Sequence, residues 1–144
     1  MTARLHPAAA LALAASLAAV PLAWFAATLG FGLAPREPVR DIAVLLLWSM
    51  AEEIVFRGAV QPALARALPA RGWAWITPAN ALTSLLFALL HLWRHPLPVA
   101  VLIYPVSLVF GRLRELSGRV WPAALLHALL NLLLYAASWL QTGA

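Results

Sequence analysis

The 144-residue chain is 64% hydrophobic and only 10% charged. Soluble domains carry roughly 25% charged residues, so this composition excludes an ordinary soluble domain and predicts a membrane protein. The absence of cysteine excludes disulfides, thiolate nucleophiles and cysteine metal ligands. All ten basic residues are arginine and are spread along the chain, which argues against a nucleic-acid partner. The length allows about five apolar segments of roughly 20 residues, and we expect a single domain over residues 1–144.

The first apolar segment runs from about Pro7 to Leu33 and is rich in alanine and leucine. A basic start at Arg4 and small residues from Ala23 to Ala27 also suit a secretory signal peptide. However, the apolar run is longer than the roughly 7 to 15 residues of a signal-peptide core. We therefore predict a retained first span, with a cleaved signal peptide as the alternative.

A loop is predicted after the first segment, because Pro35 to Asp41 contains two prolines and four charged residues. The second segment then runs from about Asp41 to Leu68, with Asp41 as its N-cap. The third segment begins at Thr77 and Pro78, a capping residue followed by proline at the first helical position. It continues to about Trp93.

The fourth segment runs from about Leu97 to Leu116, and we expect a kink at Pro105. After a basic turn, the fifth segment runs from about Trp121 to Leu140. Together the segments predict an all-α fold, a polytopic transmembrane helix bundle with about five membrane spans.

Arginines are more numerous at the N-terminus and in alternate loops than on the opposite side of the predicted membrane. Because cytoplasmic loops carry an excess of basic residues, we predict a cytoplasmic N-terminus in a bacterial-type inner membrane. Six lie at the N-terminus and in or beside the second and fourth loops: Arg4, Arg66, Arg71, Arg112, Arg114 and Arg119. The opposite side carries only Arg36, Arg40 and Arg94. The lipid bilayer is therefore the first expected partner.

Glu52 and Glu53 stand side by side in the apolar second segment, and Arg57 follows. A charge near the middle of a membrane helix costs at least about 2.5 kcal/mol on insertion scales, so such residues are usually paired or functional. Glu53 and Arg57 are four residues apart and share a helical face, which predicts a structural ion pair. Glu52 points about 100° away, and no basic residue lies three or four positions from it. Its carboxyl suits either a hydrogen bond from another helix or work as a general base.

Polar residues also occur in the third and fifth segments. His127 and Asn131 share a helical face and predict either an interhelical hydrogen-bonding pair or part of a site. His91 lies near the end of the third segment. His95 follows one turn later, but Pro96 disfavours helical geometry for the residue before it, so we expect His95 not to join His91 in a metal pair. An active site is predicted between the second, third and fifth helices.

Glu52, His91 and His127 have the composition of either a zinc site or a water-activating site. The chain has no His-Glu-x-x-His sequence, the helix pattern of zinc proteases. It also has no Gly-x-Ser-x-Gly sequence. These absences argue against the common zinc-protease and serine-hydrolase classes.

Three motifs occur in order on the second, third and fifth segments. They are Glu52-Glu53-Ile-Val-Phe-Arg57, Phe87-Ala-Leu-Leu-His91 and His127-Ala-Leu-Leu-Asn131. This ordered set resembles the CPBP family of intramembrane endopeptidases, which includes the CAAX prenyl protease Rce and the Abi proteins. The resemblance covers about residues 41–134. Each motif alone is loose, whereas their order is specific.

The resemblance implies a multi-pass membrane endopeptidase that cuts a membrane-associated peptide or protein substrate near its C-terminus. It implies that Glu52 activates a water together with His91, and that His127 and Asn131 stabilise the oxyanion. Glu53 and Arg57 would shape and charge-balance the site. The implied mechanism needs no cofactor, with zinc held by Glu52, His91 and His127 as the alternative.

Two other functions stay open on the sequence alone. One is a non-catalytic membrane protein, a partner-binding or immunity protein whose polar cluster is structural. The other is a haem-binding helix bundle with His91 and His127 as axial ligands. The identity of the substrate and the oligomeric state are not specified by these motifs.

Overall fold

A computed structural model describes residues 6–12, 14, 15, 18, 38–70, 72, 73 and 75–142 of the chain. Regular structure in these ranges is helical, apart from an isolated bridge between Trp73 and Ile76. The all-α prediction is therefore confirmed for the described residues. Residues 7–12, 14, 15 and 18 are helical, and the rest of the predicted first segment lies outside the described residues.

The second segment is helical from Pro38 to Ala67 in three successive parts. They are an α-helix at Pro38–Glu53, a π-helix at Ile54–Val60 and an α-helix at Gln61–Ala67. The predictions of a loop over residues 38–41 and of an N-cap at Asp41 are wrong, because Asp41 lies inside the first turn. Proline is tolerated in a first helical turn, and a carboxylate there interacts favourably with the helix dipole.

Pro62 gives a physical reason for the π-helix that precedes it. Its ring would clash with the carbonyl of Gly58 in a regular α-helix, and it has no N–H to donate. In the structure the Gln61 N–H donates to Phe56 O, the five-residue bond of a π-helix. The carbonyl of Arg57 accepts instead from Arg114 Nε at 3.1 Å. In an α-helix the Arg57 carbonyl would accept from the Gln61 N–H, so a side chain of the fourth segment replaces the donor that the π-helix turns towards Phe56.

The third segment forms a helix at Pro78–His91. Its predicted start is confirmed, because Thr77 Oγ1 accepts from the Asn80 N–H at 3.1 Å. The fourth segment forms a helix at Leu97–Ser117 that continues through Pro105, so the expected kink stays a prediction. It ends at Gly118, whose φ of 68° is readily adopted by glycine. The fifth segment is helical at Trp121–Thr142.

Two of the described helices, Leu97–Ser117 and Trp121–Gln141, are long and apolar enough to cross a membrane. The third segment is apolar but shorter, with 14 residues. Large exposed hydrophobic side chains occur on every one of these helices, including Leu90, Leu97 and Leu140. The remaining membrane spans of the five-span bundle stay predictions.

The chain divides into two compact units. The central unit comprises Glu52–Ala123, and the terminal unit comprises Met1–Ala51 with Ala124–Ala144. In the central unit the third and fourth segments pack along each other, and the π-helix and the Gln61–Ala67 helix pack against them. In the terminal unit a hydrogen bond from Asn131 Nδ2 to Ser49 Oγ, 2.9 Å long, joins the second and fifth segments. The single-domain organisation stays a prediction.

Close approach of the third and fourth segments depends on Gly111. A Cβ atom at this position would lie 1.8 Å from Asn80 Oδ1. Asn80 is fully buried, and its amide donates to Leu108 O at 2.9 Å while its oxygen accepts from Ser84 Oγ at 3.1 Å. Glycine therefore lets a hydrogen-bonded asparagine lie directly against the neighbouring helix.

Candidate active site

The predicted contact between Glu53 and Arg57 is present. Arg57 Nη1 lies 3.2 Å from Glu53 Oε1, and both side chains are fully buried. Breaking such a pair is costly, because removing one partner leaves an uncompensated buried charge. The two residues thus neutralise each other inside the central unit, while their role in a catalytic site stays a prediction.

The other contacts of the Arg57 guanidinium come from the third and fourth segments. Nη2 donates to Ser107 O at 2.8 Å and also to Ser107 Oγ. The guanidinium carbon lies 4.8 Å from the Phe87 ring centroid and 5.5 Å from that of Phe110, within cation–π range. Arg57 is therefore the centre of a network that links the second segment to both neighbours.

Glu52 occupies the last turn of the Pro38–Glu53 helix and is half-buried, whereas the adjacent Glu53 is fully buried. The two glutamates therefore differ in burial, as their directions about 100° apart on a helix predict. Whether Glu52 acts as a base stays a prediction.

His91 ends the third-segment helix and is half-buried. Its Nδ1 lies 2.8 Å from Phe87 O. A carbonyl oxygen only accepts, so Nδ1 must carry the proton of this bond. In the neutral imidazole the lone pair then resides on Nε2, where it can accept a proton or a hydrogen bond.

His95 lies beyond the third-segment helix, which ends at His91. Its backbone N–H donates to His91 O at 2.8 Å, and the two imidazole rings are nearly parallel with centroids 6.0 Å apart. The expectation that Pro96 disfavours helical geometry for the residue before it is confirmed, because the helix ends at His91 and His95 lies in a bend. Whether His95 joins His91 in a metal pair stays a prediction. Burial, His91 and Arg94 lower the pKa of His95 from its usual value.

His127 and Asn131 lie four residues apart on the continuous fifth-segment helix and therefore share a face. His127 is buried and Asn131 is half-buried. The Asn131 amide donates to Ser49 Oγ, which in turn donates to Leu45 O at 2.7 Å. Both residues belong to the terminal unit, whereas Glu52 and His91 belong to the central unit. The meeting of all four at one site therefore stays a prediction.

A second polar cluster surrounds Glu115 at the end of the fourth segment. Its Oε1 accepts from Thr77 Oγ1 and, at 3.2 Å, from Gln61 Nε2, while Oε2 lies 3.3 Å from Arg112 Nη1. Gln61 also donates to Gly111 O at 3.1 Å. This cluster therefore joins the second, third and fourth segments within the central unit.

Sequence reasoning did not select the residues that complete these networks. Ser107, Gln61 and Glu115 are polar residues in or beside apolar segments, a pattern that could have marked them. Their partners could not be named, because each bond crosses 38 or more positions of the chain: Arg57 with Ser107, Gln61 with Glu115 and Thr77 with Glu115. Ser49, the partner of Asn131 at a separation of 82 positions, was missed for the same reason.

Metal binding requires several donors around one point, and structural or catalytic zinc has three or four protein ligands. Among the described residues, no group of three or more His, Asp or Glu side chains is arranged to hold a metal ion. The His91 and His95 rings lie side by side, and among the described residues no third candidate ligand joins them. Glu52 and His91 belong to the central unit and His127 to the terminal unit, so a zinc ion held by these three residues stays a prediction.

Comparison with known proteins agrees with the motifs. A model of the family described as type II CAAX prenyl endopeptidase Rce1-like matches residues 34–133, more than half of the 144-residue chain. No curated protein and no solved structure matches. The matched range contains all three motifs, and the predicted family resemblance is confirmed. The chain belongs to the Rce1-like family of type II CAAX prenyl endopeptidases, a family of membrane proteases.

Proposed function

We propose that this protein is an intramembrane endopeptidase that hydrolyses a peptide bond of a membrane-associated protein near its C-terminus. The observation that carries the proposal is the family match over residues 34–133, which includes every residue assigned a role. CAAX proteases act on membrane-associated protein substrates. The composition of the chain, with 64% hydrophobic residues, suits a site reached from the membrane.

Glu52 is the proposed general base. It takes a proton from a water molecule while the water oxygen attacks the carbonyl carbon of the scissile peptide bond. The resulting tetrahedral intermediate collapses when the carbon–nitrogen bond breaks and the leaving amine takes up a proton. One water is consumed, and a carboxylic acid and an amine are released. Glu52 is half-buried, so its carboxyl remains accessible to a water molecule.

His91 is the proposed partner of Glu52 in water activation. The support is its hydrogen bond to Phe87 O, which assigns the proton to Nδ1 and leaves Nε2 as an acceptor. An acceptor nitrogen can orient the water or carry its proton towards the leaving amine. Imidazole suits this task, because its pKa is near neutral pH.

His127 and Asn131 are the proposed oxyanion donors. Their support is the shared face of the fifth segment and the fixed amide of Asn131, whose Nδ2 is held by Ser49. An amide NH₂ has two hydrogens, so one can hold this bond while the other donates to the intermediate. Each oxyanion donor is worth about 2.7 to 4 kcal/mol of barrier in a soluble protease.

Glu53 and Arg57 are proposed to support the site and to take no part in proton transfer. Their mutual bond and full burial favour this role. The proposal routes no step through a metal ion. Metal analysis of the purified, active protein tests the zinc alternative, since stoichiometric zinc required for activity would replace the glutamate mechanism.

The central experiment compares the C-termini of membrane proteins in cells that produce the wild type or Glu52→Gln. We expect a substrate whose shortened C-terminus is present only with the wild type. Removal of a group that transfers protons typically costs about 10²- to 10⁴-fold in rate, and removal of an oxyanion donor about 10²- to 10³-fold. His91→Ala and His127→Ala should therefore also abolish detectable cleavage. Glu115→Gln is the matched control, because it alters a glutamate outside the proposed site and should retain cleavage.

Cleavage retained in Glu52→Gln would exclude Glu52 as the base. Unchanged biological function in both the Glu52 and His127 variants would instead support the non-catalytic alternative. A Soret band in the purified protein would support the haem-binding alternative. The first result therefore tests the role of Glu52 in the endopeptidase, and each of the other two supports one alternative function.

A further inference from the structure

The fourth segment supplies no residue with a predicted catalytic role, yet it holds the Arg57 guanidinium. Ser107 receives both hydrogen bonds of Arg57 Nη2, one through its backbone carbonyl at 2.8 Å and one through its hydroxyl. Ser107 is fully buried. Hydrogen bonds to charged groups are stronger than neutral ones, so this contact defines where the guanidinium lies.

The Arg57 guanidinium also contacts the ring of Phe87. The cation lies 4.8 Å from the Phe87 ring centroid, and Phe56 contacts the same ring edge-to-face at 5.0 Å with an interplanar angle of 87°. Phe87 is buried, so its ring has little freedom to avoid these neighbours. The ring is therefore held by a cation and by a second aromatic ring.

Phe87 is also the residue that orients His91, one helical turn later. The centroids of the two rings are 4.5 Å apart, and the Phe87 carbonyl accepts from His91 Nδ1. The ring contact limits rotation of the imidazole, and the hydrogen bond selects the tautomer that carries its lone pair on Nε2. A continuous series of contacts thus runs from Ser107 through Arg57 and Phe87 to His91.

We propose that Ser107 is a positioning residue: by holding the Arg57 guanidinium against Phe87, it keeps the His91 imidazole in one orientation and one tautomer. The inference rests on the proposed function for its catalytic meaning, since His91 acts on the water there. Its structural content, the orientation of His91, is measurable without any substrate. No predicted motif includes Ser107, and its role follows from contacts between segments.

A direct test measures the ring-nitrogen signals of His91 by ¹⁵N NMR of the full-length chain in lipid nanodiscs. His91→Gln identifies the signals by their disappearance. In the wild type we expect a neutral ring protonated at Nδ1. In Ser107→Ala, and more strongly in Phe87→Leu, we expect a mixture of both neutral tautomers, because a loosened or missing Phe87 ring lets the imidazole rotate away from the backbone carbonyl at position 87.

Ser84→Ala is the matched control. Ser84 is equally buried and hydrogen-bonded, to Asn80 Oδ1, but it makes no bond to Arg57. It should leave the His91 signals unchanged, and Ser107→Thr, which retains a hydroxyl, should restore them. Identical His91 signals in wild type, Ser107→Ala and Phe87→Leu would overturn the proposal, and so would an equal change in Ser84→Ala.

Kinetics provide the second readout once a substrate is identified. Ser107→Ala should lower kcat by about tenfold while KM stays unchanged, the size expected when a bond to a charged group is lost. Ser107→Ala and Phe87→Leu should be non-additive, because both act through the same guanidinium. If the wild type proves inactive, the proposed function fails, while the tautomer measurement still decides the role of Ser107.

Discussion

Two groups of polar side chains between helices of this protein are stabilised in different ways. In the central unit, Glu53 and Arg57 are ionised partners, and the guanidinium has further bonds to Ser107 and lies beside two aromatic rings. In the terminal unit, Asn131 and Ser49 form a neutral pair with a single hydrogen bond between them. The first group is charged and its guanidinium has several partners, whereas the second is neutral and its two side chains share one hydrogen bond.

The difference follows from the cost of burial. A buried ion loses far more solvation than a neutral amide, so it persists only with a counter-ion and well-placed donors and acceptors. A neutral amide needs only a partner for each polar atom. We therefore expect the charged group to be sensitive to every deletion, and the neutral pair to tolerate them at small cost.

The largest effect is expected for Arg57→Ala, which leaves Glu53 as a buried charge. The free energy of unfolding should fall by about 3 to 5 kcal/mol, as measured by denaturant unfolding in detergent micelles. The double variant Glu53→Ala/Arg57→Ala should be less destabilised than the sum of the single variants, because no isolated charge remains. Single variants as stable as the wild type would show that the ion pair does not stabilise the fold. The expected difference in sensitivity between the charged group and the neutral pair would then be absent.

An intermediate effect is expected for Gly111→Ala, which tests how closely the central unit is packed around its polar residues. The new methyl would overlap Asn80 Oδ1 and displace its hydrogen bonds, at a cost of about 1 to 3 kcal/mol in unfolding free energy. Gly58→Ala is the matched control. Its methyl would meet only Val120 at 3.6 Å and Ile54 at 4.0 Å, so stability should change little or increase. Equal effects at both glycines would contradict the packing argument.

A small effect is expected for Ser49→Ala, which removes the partner of Asn131. Interhelical hydrogen bonds of this kind average about 0.6 kcal/mol in membrane proteins, so the unfolding transition should shift only slightly. Ser49→Thr keeps the hydroxyl and should match the wild type. A loss as large as that of Arg57→Ala would mean that the neutral pair is as critical as the charged one.

The smallest effect concerns His95, which lies outside both buried groups and is half-buried. Its pKa is lowered by burial first and then by His91 and Arg94. As pH falls below about 6.5, the ordinary histidine pKa, the unfolded chain takes up a proton before the folded chain does. Stability should therefore decrease down to the lowered folded pKa and then level off. In His95→Gln this component of the pH dependence should be absent from pH-dependent unfolding curves, and an unchanged curve would contradict the assignment.

The third segment shows how far local sequence signals reach. Thr77 followed by proline predicts the observed cap, because both the hydroxyl acceptor and the restricted φ act within one turn. The same kind of argument is wrong at Asp41, where Pro38 is accommodated in the first turn of the helix. Local rules describe preferences of a few tenths to a few kcal/mol, and the surrounding helix can override them.

The π-helix at Ile54–Val60 is a feature that periodicity did not predict. The ion pair needs only the four-residue spacing of Glu53 and Arg57, which both α- and π-helical contexts keep within reach. Pro62 explains why the regular α-helix is interrupted. Whether the chain then forms a π-helix, kinks or ends depends on Arg114, which donates to the Arg57 carbonyl in place of a backbone N–H. That donor comes from 57 positions away in the chain.

By itself, the sequence determined the helical class, the approximate ends of four segments, the Glu53–Arg57 pair and the family, because each depends on composition, periodicity or ordered motifs. Only the tertiary structure decided that Ser107, Phe87 and Phe110 surround Arg57 and that Ser49 holds Asn131. The physical reason is that a buried polar group takes its partner from whichever helix lies nearest. Proximity between helices is a property of packing, which no local pattern encodes.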